Sequence, residues 1–150
     1  MKALKIIGIL LAAVVVIVLL LGLVAPKSYH VERSIVIDAP RETVFPYLQT
    51  FEKQATWSPW AERDPNMQSE IIGTDGTIGA INRWQSKVEG NGEQEITAVV
   101  ANERFETKLR FDGMGESNAI LATTDENDGT KVTWSMSGGM PFPWNVMGCL

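Results

Sequence analysis

Apolar side chains are distributed along this chain in two different ways. From Ile6 to Ala25 they form one unbroken run of 20 uncharged residues, almost all Ile, Leu, Val, Ala or Gly. After Pro26 they recur in short alternating groups separated by turn residues. The first pattern has no polar face, so it is not the stripe of a helix lying on a soluble core. As a helix rising ~1.5 Å per residue it spans about 30 Å, the hydrocarbon thickness of a bilayer. Lys2 and Lys5 flank one end, and Pro26 with Lys27 stop the other. A cleaved signal peptide is the rival reading. Against it, the run exceeds the usual apolar core of such a peptide, Leu23 is large where cleavage needs a small residue, and Pro26 would follow the cut. Residues 1–26 therefore read as a retained transmembrane anchor and residues 27–150 as one folded domain. Gly8 and Ala12 are a small-residue pair that permits close helix approach, but a single anchor is the simpler reading; oligomeric state is left open.

Beyond the anchor the period changes. Residues 30–38 are rich in β-branched side chains and end at Ala39-Pro40, which predicts a first strand and its stop. A short helix follows, with Asp38 or a neighbour as its cap and Val44, Tyr47, Leu48 and Phe51 along one face. Pro46 inside it predicts a kinked or shortened helix. Trp57-Ser58-Pro59-Trp60 reads as a tight aromatic turn, and Asp64-Pro65 as another. Strands are then expected over 67–72, 80–88, 93–100, 104–111, 116–124 and 131–137. Gly73, Gly76 and Gly79, Gly90-Asn91-Gly92, Asp112-Gly113 and Asp128-Gly129 mark the turns between them. The clearest alternation is in 104–111: Phe105, Thr107, Leu109 and Phe111 point one way, and Glu106, Lys108 and Arg110 the other. That is a half-buried strand with one wet face. Short helices followed by strands at hairpin spacing predict an α+β domain with an antiparallel sheet.

Several pieces recur in a recognisable order: Val31-Glu32-Arg33-Ser34-Ile35-Val36-Ile37-Asp38-Ala39-Pro40 running to Val44, then Trp57-Ser58-Pro59-Trp60, Gly76–Trp84 and Gly129-Thr130-Lys131-Val132-Thr133-Trp134-Ser135-Met136. From about Tyr29 to Pro143 this order resembles the SRPBCC superfamily, the START-like polyketide cyclase/dehydrase and lipid-transport group. The resemblance implies a helix-grip fold, in which a curved antiparallel sheet grips a long C-terminal helix over an apolar cavity. Only seven residues follow Pro143, too few for that helix. The expectation is a truncated form, or a sheet whose inner face is covered by something else.

Charge narrows the function. Residues 27–150 hold eleven basic and eighteen acidic side chains, a balance of about −7. That is the wrong sign for nucleic acid and for broad adhesion to anionic lipid. Lys2 and Lys5 favour an N-terminus inside, hence a domain outside the cytoplasm, although Lys27, Arg33 and Arg41 oppose this. Cys149 is alone, so no intrachain disulfide or cysteine metal cage forms.

Candidate chemistry is sparse. His30 has no readable catalytic partner, and the glycines at 73, 76 and 79 lack the context of a phosphate loop. Asp125-Glu126-Asn127-Asp128-Gly129 lacks the ligand spacing of a calcium loop and reads as a charged hairpin tip. Glu93, Glu95, Glu103 and Glu106 read as a solvated outer face. No catalytic residue, metal site or cofactor is expected. The residues that stand out are Trp57, Trp60, Trp84, Phe105, Phe111 and Trp134, with Met136 on the face of Trp134. Ordinary core packing accounts for any one of them; the family resemblance implies that several line a ligand cavity. Three functions compete: a membrane-tethered domain binding an apolar small molecule or lipid, a cyclase- or hydrolase-like enzyme, and a protein-interaction module using the uncovered sheet face. Pro26 to Tyr29 reach at most about 13 Å, so the first reading holds the domain against the bilayer.

Overall fold

The computed structural model describes residues 2–113, 115–139 and 145. Within it the chain divides into two units, one formed by residues 1–29 with 138–150, the other by His30–Ser137. In the first unit, helix α1 covers Lys2–Val24. Its segment Lys5–Val24 is long and apolar enough to cross a membrane, and its side chains are exposed almost throughout. The last carbonyls of a helix have no partner within it. Here the Asn145 side-chain amide donates to Gly22 O at 2.7 Å and Ala25 O at 3.2 Å.

The second unit carries the predicted α+β domain. After β1 (Ser28–Ile37) come α2 (Arg41–Gln49), α3 (Phe51–Gln54) and α4 (Pro59–Arg63). Six strands follow: β2 (Gln68–Ile72), β3 (Ile81–Gln85), β4 (Gly92–Val100), β5 (Arg104–Phe111), β6 (Gly115–Glu126) and β7 (Gly129–Gly139). They form one seven-stranded sheet in the order β1-β7-β6-β5-β4-β3-β2. Successive strands from β2 to β7 are therefore neighbours, as hairpin-length connections require, and β1 lies at the far edge. A bulge between Ile96 and Ala98 shifts the β4–β5 register and bends the sheet there.

The core lies where α2 and α3 cross one face of the sheet. Val44, Phe45, Leu48 and Phe51 pack against Ala80, Ile96, Phe105, Leu121 and Val132. Phe51 meets Phe105 edge-on, with ring centroids 6.3 Å apart. The break between α2 and α3 is secured from the opposite loop. The Asp75 carboxylate accepts the Phe51 and Glu52 N–H groups at 2.9 and 3.0 Å, and Gln49 Nε2 donates to Gly76 O at 3.0 Å.

Four local expectations are corrected. No side chain caps α2: its N-cap is Pro40, not Asp38, and the Pro40 carbonyl itself takes the Thr43 and Val44 N–H groups. Tyr47 is 51% exposed, while Phe45, at 2%, takes the core position. The reason is that α2 ends at Gln49, so Phe51 belongs to a separate turn and the inward face is set by Val44, Phe45 and Leu48. Trp57–Trp60 is not merely a turn: Pro59 opens α4, where its missing N–H costs nothing. The strand expected over 80–88 stops at Gln85. Beyond it Ser86 turns the chain, its hydroxyl donating to Asp64 at 2.6 Å and accepting the Val88 and Glu89 N–H groups. The expectation about the segment after Pro143 lies outside the described residues, Asn145 excepted.

Candidate functional site

The alternation of each strand, carried across the ladders, defines what the concave, helix-side face displays. Nearest the helices is a row of Val99, Phe105 and Leu121, and beside it one of Ile96, Thr107 and Ala119, all but Val99 buried. The next row runs Ile71, Asn82, Gln94, Leu109, Ser117 from β2 to β6. The outermost row runs Ser69, Trp84, Gly92, Phe111, Gly115. Among the described residues the helices pack on these first two rows, while Leu109, Phe111 and Trp84 remain half-buried.

Two features of this face matter chemically. The first is an aromatic floor. A Cβ on Gly92 would stand 2.5 Å from Trp84 Cζ2 and 2.6 Å from the Arg110 carbonyl oxygen, so only glycine lets the indole lie flat across β4. Trp84 then meets Phe111 edge-on at 5.7 Å. An open depression of about 360 Å³ lies at this end of β3–β5, bordered by both rings, by Asn91 and Asp112, and at its rim by the paired charges of Arg83, Glu93 and Arg110.

The second feature is a stripe of uncharged polar groups set into the apolar surface. Gln94 Nε2 donates to Thr107 Oγ1 at 2.8 Å, and the Ser69 hydroxyl donates to Asn82 Oδ1. Among the described residues, the Gln94 carbonyl oxygen and the Asn82 amide nitrogen hold no further hydrogen bond.

The convex face is the reverse. Arg110 donates to Glu93 at 3.0 Å, Glu95 at 2.9 Å and Glu116 at 3.2 Å. Arg83 pairs with Glu93 at 3.3 Å and Lys108 with Glu116 at 3.4 Å. Hydrogen bonds to Glu95 and then Glu93 raise the Arg110 pKa above its ordinary value. The Lys108 charge, with its hydrogen bond and that of Arg110, holds the Glu116 carboxyl below the usual carboxylate range. Glu93 and Glu95 are thus partners in a network rather than a simply solvated row.

The residues singled out from sequence fall in three places. Phe105 is fully buried in the core cluster, against which the partly buried Trp134 packs. Trp84 and Phe111 form the aromatic floor, and Met136 is half-buried on β7, two residues beyond Trp134. Trp57 and Trp60 are 47% and 48% exposed on the helical segment; Trp57 Nε1 donates to Tyr47 O at 2.9 Å, and Arg63 lies over the Trp60 ring at 5.4 Å. Asn82 and Gln94 were missed. Their signal was available: each stands two residues from an inward apolar position, Trp84 and Ile96, and so shares its face. His30 lies on β1, exposed and 3.8 Å from Glu32.

Comparison with solved structures bears on the fold. Norcoclaurine synthase from Thalictrum flavum superposes with a TM-score of 0.64 at 11% identity, covering 82% of this chain and 76% of its own. Ara h 8.0201 gives 0.58 at 14%, covering 81% and 86%. DynU16, from the dynemicin biosynthetic locus, gives 0.55 at 18%, covering 75% of this chain; the present chain spans 38% of that longer one. At such identities the likeness is one of fold. Comparison with curated proteins finds no match. The profile of the family described as polyketide cyclase / dehydrase and lipid transport matches residues 28–148. That match takes in the strands, the helices and the concave face described above, and the chain belongs to this family.

Proposed function

We propose that the domain binds a hydrophobic small molecule or lipid on the concave face of its sheet, while α1 holds it to a membrane. The observation that carries this reading is the composition of that face: half-buried Trp84, Leu109 and Phe111 around the amides of Asn82 and Gln94. Small-molecule sites combine a mostly apolar wall with a few placed polar groups, and this surface has both. The polar groups are amides and hydroxyls, which orient a ligand more readily than they transfer its protons. That favours binding over acid–base catalysis, even though one fold neighbour is by name a synthase.

Native mass spectrometry of the full chain, released from mild detergent, tests the reading. A lipid or other apolar molecule retained in a fixed ratio is expected, and Trp84→Ala should reduce its occupancy several-fold. A chain that carries no small molecule and acquires none from a lipid extract would overturn it.

The membrane part rests on α1. Lys2 and Lys5 at its start favour a cytoplasmic N-terminus, which sends the domain outward. Protease added to intact cells should then digest the domain; complete protection would reverse the orientation.

A further inference from the structure

We infer that the ligand of the concave face is electrically neutral, an amphiphile whose polar end is a hydroxyl, carbonyl or amide rather than a carboxylate or phosphate. This rests on the binding function proposed above and adds the chemical class of what is bound. Along β2–β7 the charged side chains leave from the convex face: Glu70, Arg83, Glu93, Glu95, Arg104, Glu106, Lys108, Arg110, Glu116 and Lys131 all have the opposite alternation to Trp84, Gln94 and Phe105. One exception has the inward alternation. Asp125 lies at the end of β6, and Arg41 closes on both its oxygens at 2.7 Å.

The cations on the strands that carry the aromatic floor are not available either, and Lys87, in the turn after β3, is exposed to solvent. Arg83, Lys108 and Arg110 are matched one for one by Glu93, Glu95 and Glu116. An anion arriving there would compete with carboxylates already in place. The exposed charges of β1 stand beyond β7 at the sheet edge, two strands or roughly 10 Å past β6.

An ionised headgroup taken into such a surface would lose its water without gaining a counter-charge, which is strongly unfavourable. A hydroxyl or carbonyl would lose water and gain partners. The Gln94 carbonyl oxygen accepts from an O–H, and the Asn82 amide nitrogen donates to a C=O. The face is therefore selective through what it withholds as much as through what it offers.

The test offers the full chain in detergent an equimolar pair: a long-chain alcohol and the fatty acid of the same length, at alkaline pH where the acid is ionised. Bound adducts are counted by native mass spectrometry. The alcohol is expected to be favoured by about tenfold or more. Equal binding, or preference for the fatty acid, would overturn the inference while leaving ligand binding intact. Failure of both to bind would sink the binding function and this inference with it. In a second arm, Gln94→Leu should shrink the preference for the alcohol over the matching alkane several-fold, with an unchanged melting temperature showing that the fold survives. An unaltered ratio would remove Gln94, and the hydrogen-bonding stripe, from recognition.

Discussion

Phe105 is 1% exposed and sits at the junction of β5 with α3, its ring edge-on to Phe51. Truncating it empties a volume that helix and sheet must share, so Phe105→Ala is expected to cost about 3–5 kcal/mol. The check is the chemical denaturation midpoint of the full chain. Gly92 tests the site more directly. In Gly92→Ala the new methyl meets a backbone carbonyl held by the β4–β5 ladder on one side and an indole on the other. The indole is the part that yields. The expected result is a loss of about 1–3 kcal/mol together with changed Trp84 fluorescence; unaltered emission would mean the ring does not lie across this glycine. Residue type alone could not separate these roles. Trp57, Trp84 and Phe105 are all large aromatics, yet one is half-exposed, one floors the proposed site and one is core. Only their neighbours across the ladders and helices distinguish them.

At the scale of elements, alternation was the reliable signal. In β5 the inward set Phe105, Thr107, Leu109, Phe111 and the outward set Arg104, Glu106, Lys108, Arg110 both follow the period of two. The helical segment was less legible, because its face is decided by where α2 stops, and that stop is held by Asp75 from a loop far along the chain. The convex network of β3–β6 gives a pH prediction. The folded-state pKa of Glu116 is depressed below the ordinary 4.5. Its contribution is therefore complete above that range and is lost as the pH falls through the lower folded value. Arg110 is raised above its ordinary value by Glu95 and Glu93, so its contribution is complete throughout the neutral and acid range. The melting temperature should fall on the acid side, below about pH 4.5, and Glu116→Gln should flatten that fall slightly, as suits an exposed pair. A variant whose acid profile matches the parent would show that the network adds no pH dependence.

For the whole molecule, the testable consequence of the proposed tether is a matter of reach. Only Ala25, Pro26 and Lys27 separate the last residue of α1 from the first of β1, at most about 11 Å of extended chain. A long Gly/Ser insertion after Lys27 lowers the effective concentration of the domain at the bilayer. In reconstituted vesicles, capture of a membrane-borne alcohol should slow several-fold; an undiminished rate would mean that closeness to the lipid is not used. The apolar run of α1, the succession of strands and the two faces of β5 were decided by the sequence itself, because each is local, a matter of period and turn chemistry over a few residues. The order of pieces along the chain was likewise enough to suggest the family. What the sequence left open was which strands' inward residues meet. Ladder register aligns Asn82 with Gln94 and Gln94 with Leu109, and places Gly92 beneath Trp84. A row that crosses five strands has no signature in any one of them, so the uncharged polar stripe exists only once hydrogen bonds between distant segments have set their alignment.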